Sequence, residues 1–223
     1  EEANVIYLFN ASASMFTPTF DCDGDGTAET SYFQAAAKEA NELQANVANS
    51  YLSIANKTVD ADYYAYGSFA VEAASTDDIS QLAGASDLAA ALQTLTLDTS
   101  KETRIYIFTN TVEDAGAADA AGQAIVDAFA ATGTTLHIDA VAMGVQESLG
   151  LQQTTDALEL IDTDVADIVI GPIGGGLPGL GGGLGGIDLT ITSDTVDIIA
   201  GCDDDFSMVE SAAVDEDLTL IVS

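Results

Sequence analysis

The densest group of potential metal ligands lies in the segment Asp21-Cys-Asp-Gly-Asp-Gly-Thr-Ala-Glu29. Carboxylates at alternate positions, followed by a glycine that permits a tight turn, are typical of the first half of a calcium-binding loop. We expect the aspartates to be direct ligands, Thr27 to offer its backbone carbonyl oxygen, and Glu29 to bind directly or through water. The predicted Ca²⁺ ligands are therefore Asp21, Asp23, Asp25, Thr27 and Glu29.

The loop departs from an EF-hand at its twelfth position, where Tyr32 replaces the usual bidentate glutamate. Another carboxylate must therefore complete the coordination shell. The run 203–205 consists of aspartates and directly follows Cys202, so it is a candidate if Cys202 forms a disulfide with Cys22. Two cysteines are enough for one bridge, and we expect that bridge. The alternative interpretation of the segment is a solvated acidic loop without a bound ion.

A second group of polar residues follows the predicted strands. Asn10-Ala-Ser-Ala-Ser14 comes after the first apolar run, Gly84-Ala-Ser86 opens a helix, and Thr109-Asn110 ends a later strand. Their order and spacing, over roughly residues 3–165, resemble the von Willebrand factor type A domain. The metal-ion-dependent adhesion site of that family is Asp-x-Ser-x-Ser with a distant Thr and Asp. The resemblance implies a site built from Asn10, Ser12, Ser14, Ser86 and Asn110.

This site departs from the family pattern in its charge. Asn10 and Asn110 stand where the family has aspartates, and Ser86 stands where it has a threonine. The family site holds Mg²⁺ or a similar ion and leaves a position for an acidic residue of the partner. Neutral amides offset little of the cost of dehydrating a cation. Asp87 and Asp114 are candidates to compensate, although the family pattern does not require either of them. We expect a degenerate adhesion site, with Mg²⁺ as the ion if it still binds one.

Apolar periodicity alternates between strands and helices along most of the chain. Continuous apolar runs are typical of strands that are covered on both faces, and an alternation of strands with helices indicates a parallel sheet. The expected strands are Val5–Phe9, Tyr63–Ala73, Arg104–Thr109 and Leu136–Met143, and the expected helices are Tyr32–Ala55, Ser86–Leu95, Asp114–Thr132 and Glu147–Leu160. The predicted fold class is α/β: a three-layer, doubly wound, mostly parallel sheet of the type A or Rossmann kind.

The pattern changes after Ile170. We predict an α/β domain over residues 1–170, a glycine-rich segment over 171–186, and a small C-terminal β extension over 187–223. The glycine-rich segment is either a flexible linker or, because it carries regularly placed Ile and Leu, a segment that packs against another chain. The β extension either completes the sheet or begins a second module.

Composition restricts the partners. Four Lys and Arg against 37 Asp and Glu give a formal net charge of −33, which repels nucleic acid and anionic lipid. Only salt or bound cations make such a charge density tolerable, and we expect a secreted or cell-surface protein in a saline or calcium-rich setting. No apolar run is long enough to insert directly into a membrane. The first residues lack a basic signal region, so we expect a processed chain or one cut from a longer protein.

Catalytic signatures are absent from the sequence. His137, the only histidine, lies in a predicted central strand between Leu136 and Ile138, where we expect a structural role, and no phosphate-binding loop is present. We therefore expect no enzyme. The favoured function is an extracellular calcium-binding module for adhesion or protein interaction, with a degenerate adhesion site. The alternative is a structural subunit of a surface layer or filament. The expected partner is accordingly another protein or, by self-association into a homopolymer, the same chain.

Overall fold

The computed structural model describes residues 2–21, 24–52, 58–145, 148–161, 163–165 and 196–199. Strands and helices alternate along the described chain. The strands are β1 (Glu2–Asn10), β2 (Pro18–Phe20), β3 (Thr30–Ser31), β4 (Thr58–Tyr66), β5 (Ala70–Ala73), β6 (Thr103–Thr109), β7 (Leu136–Met143), β8 (Thr163–Val165) and β9 (Asp197–Ile199). The helices are α1 (Ala13–Phe16), α2 (Tyr32–Ser50), α3 (Leu88–Thr94), α4 (Ala115–Thr132) and α5 (Leu149–Leu158).

The main sheet has the strand order β5-β4-β1-β6-β7-β8, and β9 also pairs with β7. The four central strands β4, β1, β6 and β7 are parallel to one another, whereas β5 and β8 run antiparallel to their neighbours. Along the outer edge of β7, β8 pairs with the first half and β9 pairs in parallel with the second half. The predicted mostly parallel α/β sheet is confirmed.

Apolar side chains cover both faces of the sheet, which explains the continuous apolar runs of β1 and β6. On one face, Ile6, Leu8, Ile105 and Ile107 pack with apolar residues of α3, α4 and α5. On the other face, residues of the same strands pack with the apolar stripe of α2. The central strands are thus buried between two helical layers, and the predicted three-layer arrangement is confirmed.

The predicted single strand Tyr63–Ala73 is instead a hairpin of β4 and β5. The residues between the strands are Gly67, Ser68 and Phe69, and the amide of Gly67 donates to the carbonyl oxygen of Phe69. Alternating apolar and polar residues continue through both strands of a hairpin, so periodicity alone did not reveal the turn. The antiparallel return of β5 leaves β4 as the last parallel strand on this side of the sheet.

Helix ends follow local capping residues. Asp87 and Asp114 are the N-caps of α3 and α4, so α3 begins two residues later than expected. Gly133, with a φ of 69°, ends α4 as predicted. Helix α5 is shorter at both ends than the predicted 147–160, because Ser148 caps its N-terminus. No described helix has both the length and the apolar character needed to cross a bilayer.

The predicted domain boundaries fall mainly outside the described residues. The segment 171–186 and all of 187–223 except 196–199 belong to that part of the chain. Val196 and Ile199 are both buried, Val196 on the α3–α5 side of the sheet and Ile199 on the α2 side. The described part of the predicted β extension therefore joins the main sheet at β7.

Candidate functional site

Polar side chains meet where two adjacent central strands end. Asn10 is the last residue of β1, Thr109 is the last residue of β6, and Asn110 follows directly. The loop after β1 returns Ser12 and Ser14 to the same edge, where α1 begins. We call this set, Asn10, Ser12, Ser14, Thr109 and Asn110, the rim. In parallel α/β sheets this carboxyl edge is where ligands bind.

The side chains of the rim form a chain of hydrogen bonds. The Ser12 amide donates to Oδ1 of Asn10 at 2.9 Å, and Nδ2 of Asn110 donates to Oγ of Ser14 at 2.9 Å. The hydroxyl oxygens of Ser12 and Ser14 are 3.0 Å apart. Nδ2 of Asn10 donates to Oγ1 of Thr109 at 3.0 Å and, more weakly, to Oδ1 of Asn110 at 3.4 Å. Asn10 thus fixes the backbone of Ser12, and Asn110 fixes the hydroxyl of Ser14.

Thr109 is the buried member of the rim, and Tyr66 supports it from below. Sequence reasoning did not assign a role at the site to either residue. Both are fully buried, and the Tyr66 hydroxyl donates to Oγ1 of Thr109 at 2.9 Å. Oγ1 of Thr109 in turn donates to the carbonyl oxygen of Thr111 at 2.8 Å. The only sequence signal for this layer is that both residues end buried parallel strands.

Ser86 is the predicted ligand that the structure does not join to the others. It is buried in the loop before α3. The amide of Asp87 donates to the carbonyl oxygen of Gly67 at 2.7 Å and fixes that loop. The loop approaches the rim at Leu82, whose amide donates to the carbonyl oxygen of Ala11 at 2.8 Å. Among the described residues, no hydrogen bond connects the Ser86 hydroxyl to the rim. The other four predicted residues are brought together.

The two aspartates that were expected to compensate for the missing charge have another role. Oδ1 of Asp87 accepts from the amide of Ala90 at 2.9 Å, and Oδ1 of Asp114 accepts from the amide of Ala117 at 2.9 Å. Each carboxylate therefore caps a helix. Together with Glu113 they line a cleft of about 220 Å³ between the N-terminal ends of α3 and α4.

The rim residues do not fit the divalent cation that the family resemblance implies. Oδ1 of Asn10 already accepts from a backbone amide, and Nδ2 of both asparagines donates to oxygen atoms that a cation would otherwise attract. No carboxylate belongs to the network, although Mg²⁺ binds preferentially to carboxylates. Within the described ranges, no three acidic, histidine or cysteine side chains are grouped closely enough to hold a metal ion.

The predicted calcium loop is described in part. Asp21 accepts from the amides of Gly24 at 2.8 Å and Gly26 at 2.7 Å, one with each carboxylate oxygen. Asp25 accepts from the amide of Thr27 at 2.8 Å. Both glycines have positive φ values, 76° and 91°, which let the chain wind around the Asp21 carboxylate. Asp23 lies outside the described residues, as do both cysteines of the predicted disulfide.

A short β ribbon positions this loop. Strands β2 and β3 are antiparallel, and the amide of Glu29 donates to the carbonyl oxygen of Phe20 at 3.0 Å. The buried Phe20 ring packs edge-on against Tyr32 with centroids 5.1 Å apart. Ser31 and Gln34 then form a capping box at the start of α2. The loop is therefore fixed to the N-terminal end of α2 on both sides.

A buried polar cluster, which no sequence pattern predicted, lies in the α2-covered face of the sheet. We define the cluster as Tyr51, Glu102, Arg104, Tyr106 and Asp139. Arg104 is the only arginine of the chain and is 7% exposed. Nη1 of Arg104 lies 3.5 Å from the Tyr106 hydroxyl, and the Tyr51 hydroxyl donates to Glu102 at 2.6 Å.

Electrostatics keep Arg104 charged in this environment. Burial alone lowers the pKa of its guanidinium, but Tyr106, Asp139 and Tyr51 more than offset that effect, so the pKa lies well above its usual range. Burial is also the main cause that raises the pKa of Tyr51, and the pKa of Tyr7 is raised for the same reason. Tyr7 stacks between Tyr63 and Tyr106, with ring centroids 5.3 and 5.5 Å away.

Comparison with protein-family models and with curated proteins finds no match. Among solved structures, the conserved hypothetical protein BatB from Bacteroides thetaiotaomicron is similar in fold. It has a TM-score of 0.52 at 13% identity, over 99% of this chain and 100% of that chain. This likeness and the sheet order support a fold of the von Willebrand factor type A or Rossmann kind.

Two further solved structures are more distant. An aerotolerance-related membrane protein from Bacteroides fragilis has a TM-score of 0.46 at 12% identity, over 98% of this chain and 100% of that chain. A D319A mutant of the PilB minor pilin from Streptococcus sanguinis has a TM-score of 0.48 at 10% identity, over 100% of this chain and 63% of that chain.

Proposed function

We propose that this chain is an extracellular protein-interaction module of the von Willebrand factor type A kind, with its contact surface at the rim. The observation that carries the proposal is the rim itself. At the carboxyl edge of the parallel sheet, Asn10 holds the backbone amide of Ser12, Asn110 holds the hydroxyl of Ser14, and the two serine hydroxyls bond to each other. Loops positioned by a rigid scaffold are where binding residues concentrate. The rest of the edge supplies acidic side chains around the α3–α4 cleft.

The charge of the chain favours a partner with basic groups. A net charge of −33 repels other acidic surfaces, and it accelerates the encounter with basic ones. The rim contact is tested with the Ser12→Ala, Ser14→Ala double variant, used as bait on intact cells or extracellular material. Loss of a partner that native protein retains supports the proposal. Equal retention by both proteins contradicts it, and a Thr17→Ala variant serves as the control for an exposed hydroxyl outside the rim.

The second part of the proposal is that the loop at residues 21–29 binds Ca²⁺. The two positive-φ glycines and the wrapping of the chain around Asp21 support it, as does the rigid attachment of the ribbon to α2. A ligand that binds only the folded state must raise its stability. Thermal unfolding in Ca²⁺, in Mg²⁺ and in chelator, at fixed ionic strength, is therefore the direct test.

We expect a stabilisation that is specific to Ca²⁺ in the native chain and absent from Asp21→Asn. The matched control is Asp77→Asn, which removes the same charge from an exposed position outside the loop. If both variants respond to Ca²⁺ like the native chain, the segment is a solvated acidic loop. If both lose the response equally, the effect is general charge screening.

The alternative function, a subunit of a surface layer or filament, has one supporting observation. Three large apolar side chains at the ends of α5, Val145, Leu149 and Leu160, are 49%, 74% and 55% exposed. If the three side chains form one contiguous apolar patch, that patch favours contact with another protein surface. Light scattering over a concentration series in Ca²⁺ tests this function. Assembly that Leu149→Ser weakens favours the subunit, and a monomer at all concentrations favours the interaction module.

We expect no enzymatic activity. Among the described residues, the rim hydroxyls have amide partners and no histidine or carboxylate that could act as their base. His137 lies within β7, paired in register with Arg104, and is not part of the rim.

A further inference from the structure

The direction of one hydroxyl proton determines what residue position 10 can accept. Oγ1 of Thr109 donates to the carbonyl oxygen of Thr111 at 2.8 Å, and a hydroxyl group has only one proton. The same oxygen accepts from the Tyr66 hydroxyl at 2.9 Å and from Nδ2 of Asn10 at 3.0 Å. Toward Asn10, therefore, Thr109 presents only lone pairs.

Position 10 must consequently supply a donor, which an amide does and a carboxylate does not. With aspartate at this fully buried position, a charged oxygen would face the lone pairs of Thr109 Oγ1 and of Asn110 Oδ1. Such a carboxylate would need a cation between it and those oxygens, a proton of its own, or a Thr109 hydroxyl turned away from Thr111. Asparagine needs none of these, because its N–H groups occupy the space between the same acceptors.

Asn110 repeats this substitution on the other side of the rim. Its Nδ2 donates to Ser14 Oγ at 2.9 Å, and its backbone carbonyl oxygen accepts from Thr154 of α5 at 3.0 Å. The backbone of Asn110 is thus fixed by α5, and its side chain connects the hydroxyl pair of Ser12 and Ser14 to the end of β6. Both side-chain amides therefore donate to oxygen atoms of the rim.

We propose that the rim is a cation-independent recognition surface, in which the amides of Asn10 and Asn110 replace a bound ion and present the Ser12 and Ser14 hydroxyls directly to a partner. The recognition role rests on the proposed function. The replacement of the ion does not, because it is a property of this chain alone. A partner at this surface meets neutral hydroxyl groups, so it needs no acidic residue to complete a metal coordination shell, and its binding persists in chelator.

The test measures Mg²⁺ and Mn²⁺ binding to the chain itself. All variants carry Asp21→Asn and Asp25→Asn, so that the acidic loop does not contribute, and all measurements are made at 0.15 M salt, where long-range attraction of cations is largely screened, as the Debye length is about 8 Å. The Asn10→Asp, Asn110→Asp double variant is compared with the native rim. The matched control is Asn41→Asp with Asn49→Asp, which adds the same two charges on the exposed side of α2.

Tight Mn²⁺ sites are counted by electron paramagnetic resonance, and thermal unfolding is followed in Mg²⁺ and in chelator. The native rim is expected to bind no Mn²⁺ tightly and to unfold at the same temperature in both solutions. The variant with two carboxylates is expected to melt lower in chelator, to recover in Mg²⁺, and to bind Mn²⁺ at least about tenfold more tightly than the control, because carboxylates are the preferred ligands of such ions. Asn110→Asp alone provides the comparison if the double variant does not fold.

Two results would overturn the proposal. The first is a tight Mn²⁺ site in the native rim that Ser12→Ala removes, which would show that the amides coexist with an ion. The second is a double variant that gains no more affinity than the control, which would show that the amides do not stand where an ion fits. Neither result depends on finding a partner, so a failure of the proposed interaction function remains separately visible in the cell-capture experiment.

Discussion

The rim and the buried polar cluster distribute charge in opposite ways. The rim lies at the surface of a chain with a net charge of −33, yet its hydrogen-bond network is built from neutral amides and hydroxyls. The buried cluster lies inside the sheet layer, yet it contains the only arginine together with Asp139 and Glu102. The family that the chain resembles has aspartates at the rim, where this chain has asparagines, and apolar periodicity predicts no charge in the core.

The contrast shows that the stability of each region depends on the partners of its polar groups and not on how exposed the region is. Rim groups are satisfied by hydrogen bonds alone, so the region needs no ion. In the buried cluster, a charged guanidinium is surrounded by phenol oxygens and a carboxylate, which offset its dehydration only as long as all of them remain. The buried cluster should therefore be the more sensitive of the two regions to a single substitution.

The largest effect is expected for Arg104→Met. Removing one partner of a buried charged group leaves the other uncompensated, so we expect a loss of about 3–5 kcal/mol in the free energy of unfolding. Urea denaturation measures it. Lys101→Met is the control, because Lys101 makes an exposed ion pair with Glu2 at 2.8 Å and its loss should change stability little. An Arg104→Met chain as stable as the Lys101 control would show that the guanidinium is not needed to hold the cluster.

A smaller effect is expected for Thr109→Val in the rim. Valine keeps the shape of threonine but leaves the Tyr66 hydroxyl and Nδ2 of Asn10 without their acceptor, and we expect a loss of about 1–3 kcal/mol. Thr17→Val removes an exposed hydroxyl that donates to Ala13, and it should have a much smaller effect in the same denaturation experiment. Equal losses of stability in Thr109→Val and Thr17→Val would show that the buried hydroxyl contributes no more than an exposed one.

Gly144→Ala tests the packing that positions α5 and, through Thr154, the backbone of Asn110. A Cβ at this position would lie 2.8 Å from Cβ of Leu151, so α5 must shift, and we expect a loss of about 1–2 kcal/mol. Gly150→Ala is the matched control within α5, because its Cβ would meet nothing within 4 Å and alanine favours the helix. If Gly144→Ala and Gly150→Ala change the unfolding temperature by the same amount, the packing of Gly144 against Leu151 does not limit the position of α5.

Ionisation of the buried tyrosines of the two regions is expected to have the smallest effect on the free energy of unfolding at ordinary pH. Burial raises the pKa of Tyr66 and of Tyr51 in the folded chain. The unfolded tyrosines lose their protons near a pKa of about 10, while the folded ones keep them. Stability should thus be constant below that pH and fall above it, because the unfolded state then binds fewer protons.

The alkaline fall is measured by urea denaturation between pH 8 and pH 11. Tyr66→Phe should be less stable at pH 8, since it loses the hydrogen bond to Thr109, and should show a shallower fall above pH 10. An unchanged slope would show that ionisation of Tyr66 does not contribute to the pH dependence.

Local sequence determined the parallel sheet and most helix ends. Residues 6–9 and 105–108 are continuous apolar runs, and both lie in strands covered by helices on two faces. Asp114 and Gly133 limit α4 because each forms its cap within its own chain segment. The hairpin of β4 and β5 was missed because its turn leaves the alternating pattern intact.

The candidate site was predictable in its position but not in its chemistry. Spacing placed Asn10, Ser12, Ser14 and Asn110 at strand ends that parallel pairing brings together, and the structure joins all four. Spacing did not predict the role of Thr109 and Tyr66 beneath these four residues. It also included Ser86, which makes no hydrogen bond with the other four. The calcium ligands and the disulfide stay predictions, since Asp23, Cys22 and Cys202 lie outside the described residues.

The sequence by itself therefore determined which residues reach the carboxyl edge of the sheet, because strand and helix periods depend on neighbours along the chain. Only the tertiary structure decided what those residues do there. Asn10 acts as a donor because the proton of Thr109, 99 positions away, points to Thr111. Arg104 remains charged in the core because Tyr51 and Asp139 come from other elements. Hydrogen-bond direction and dehydration depend on partners that only folding brings into contact.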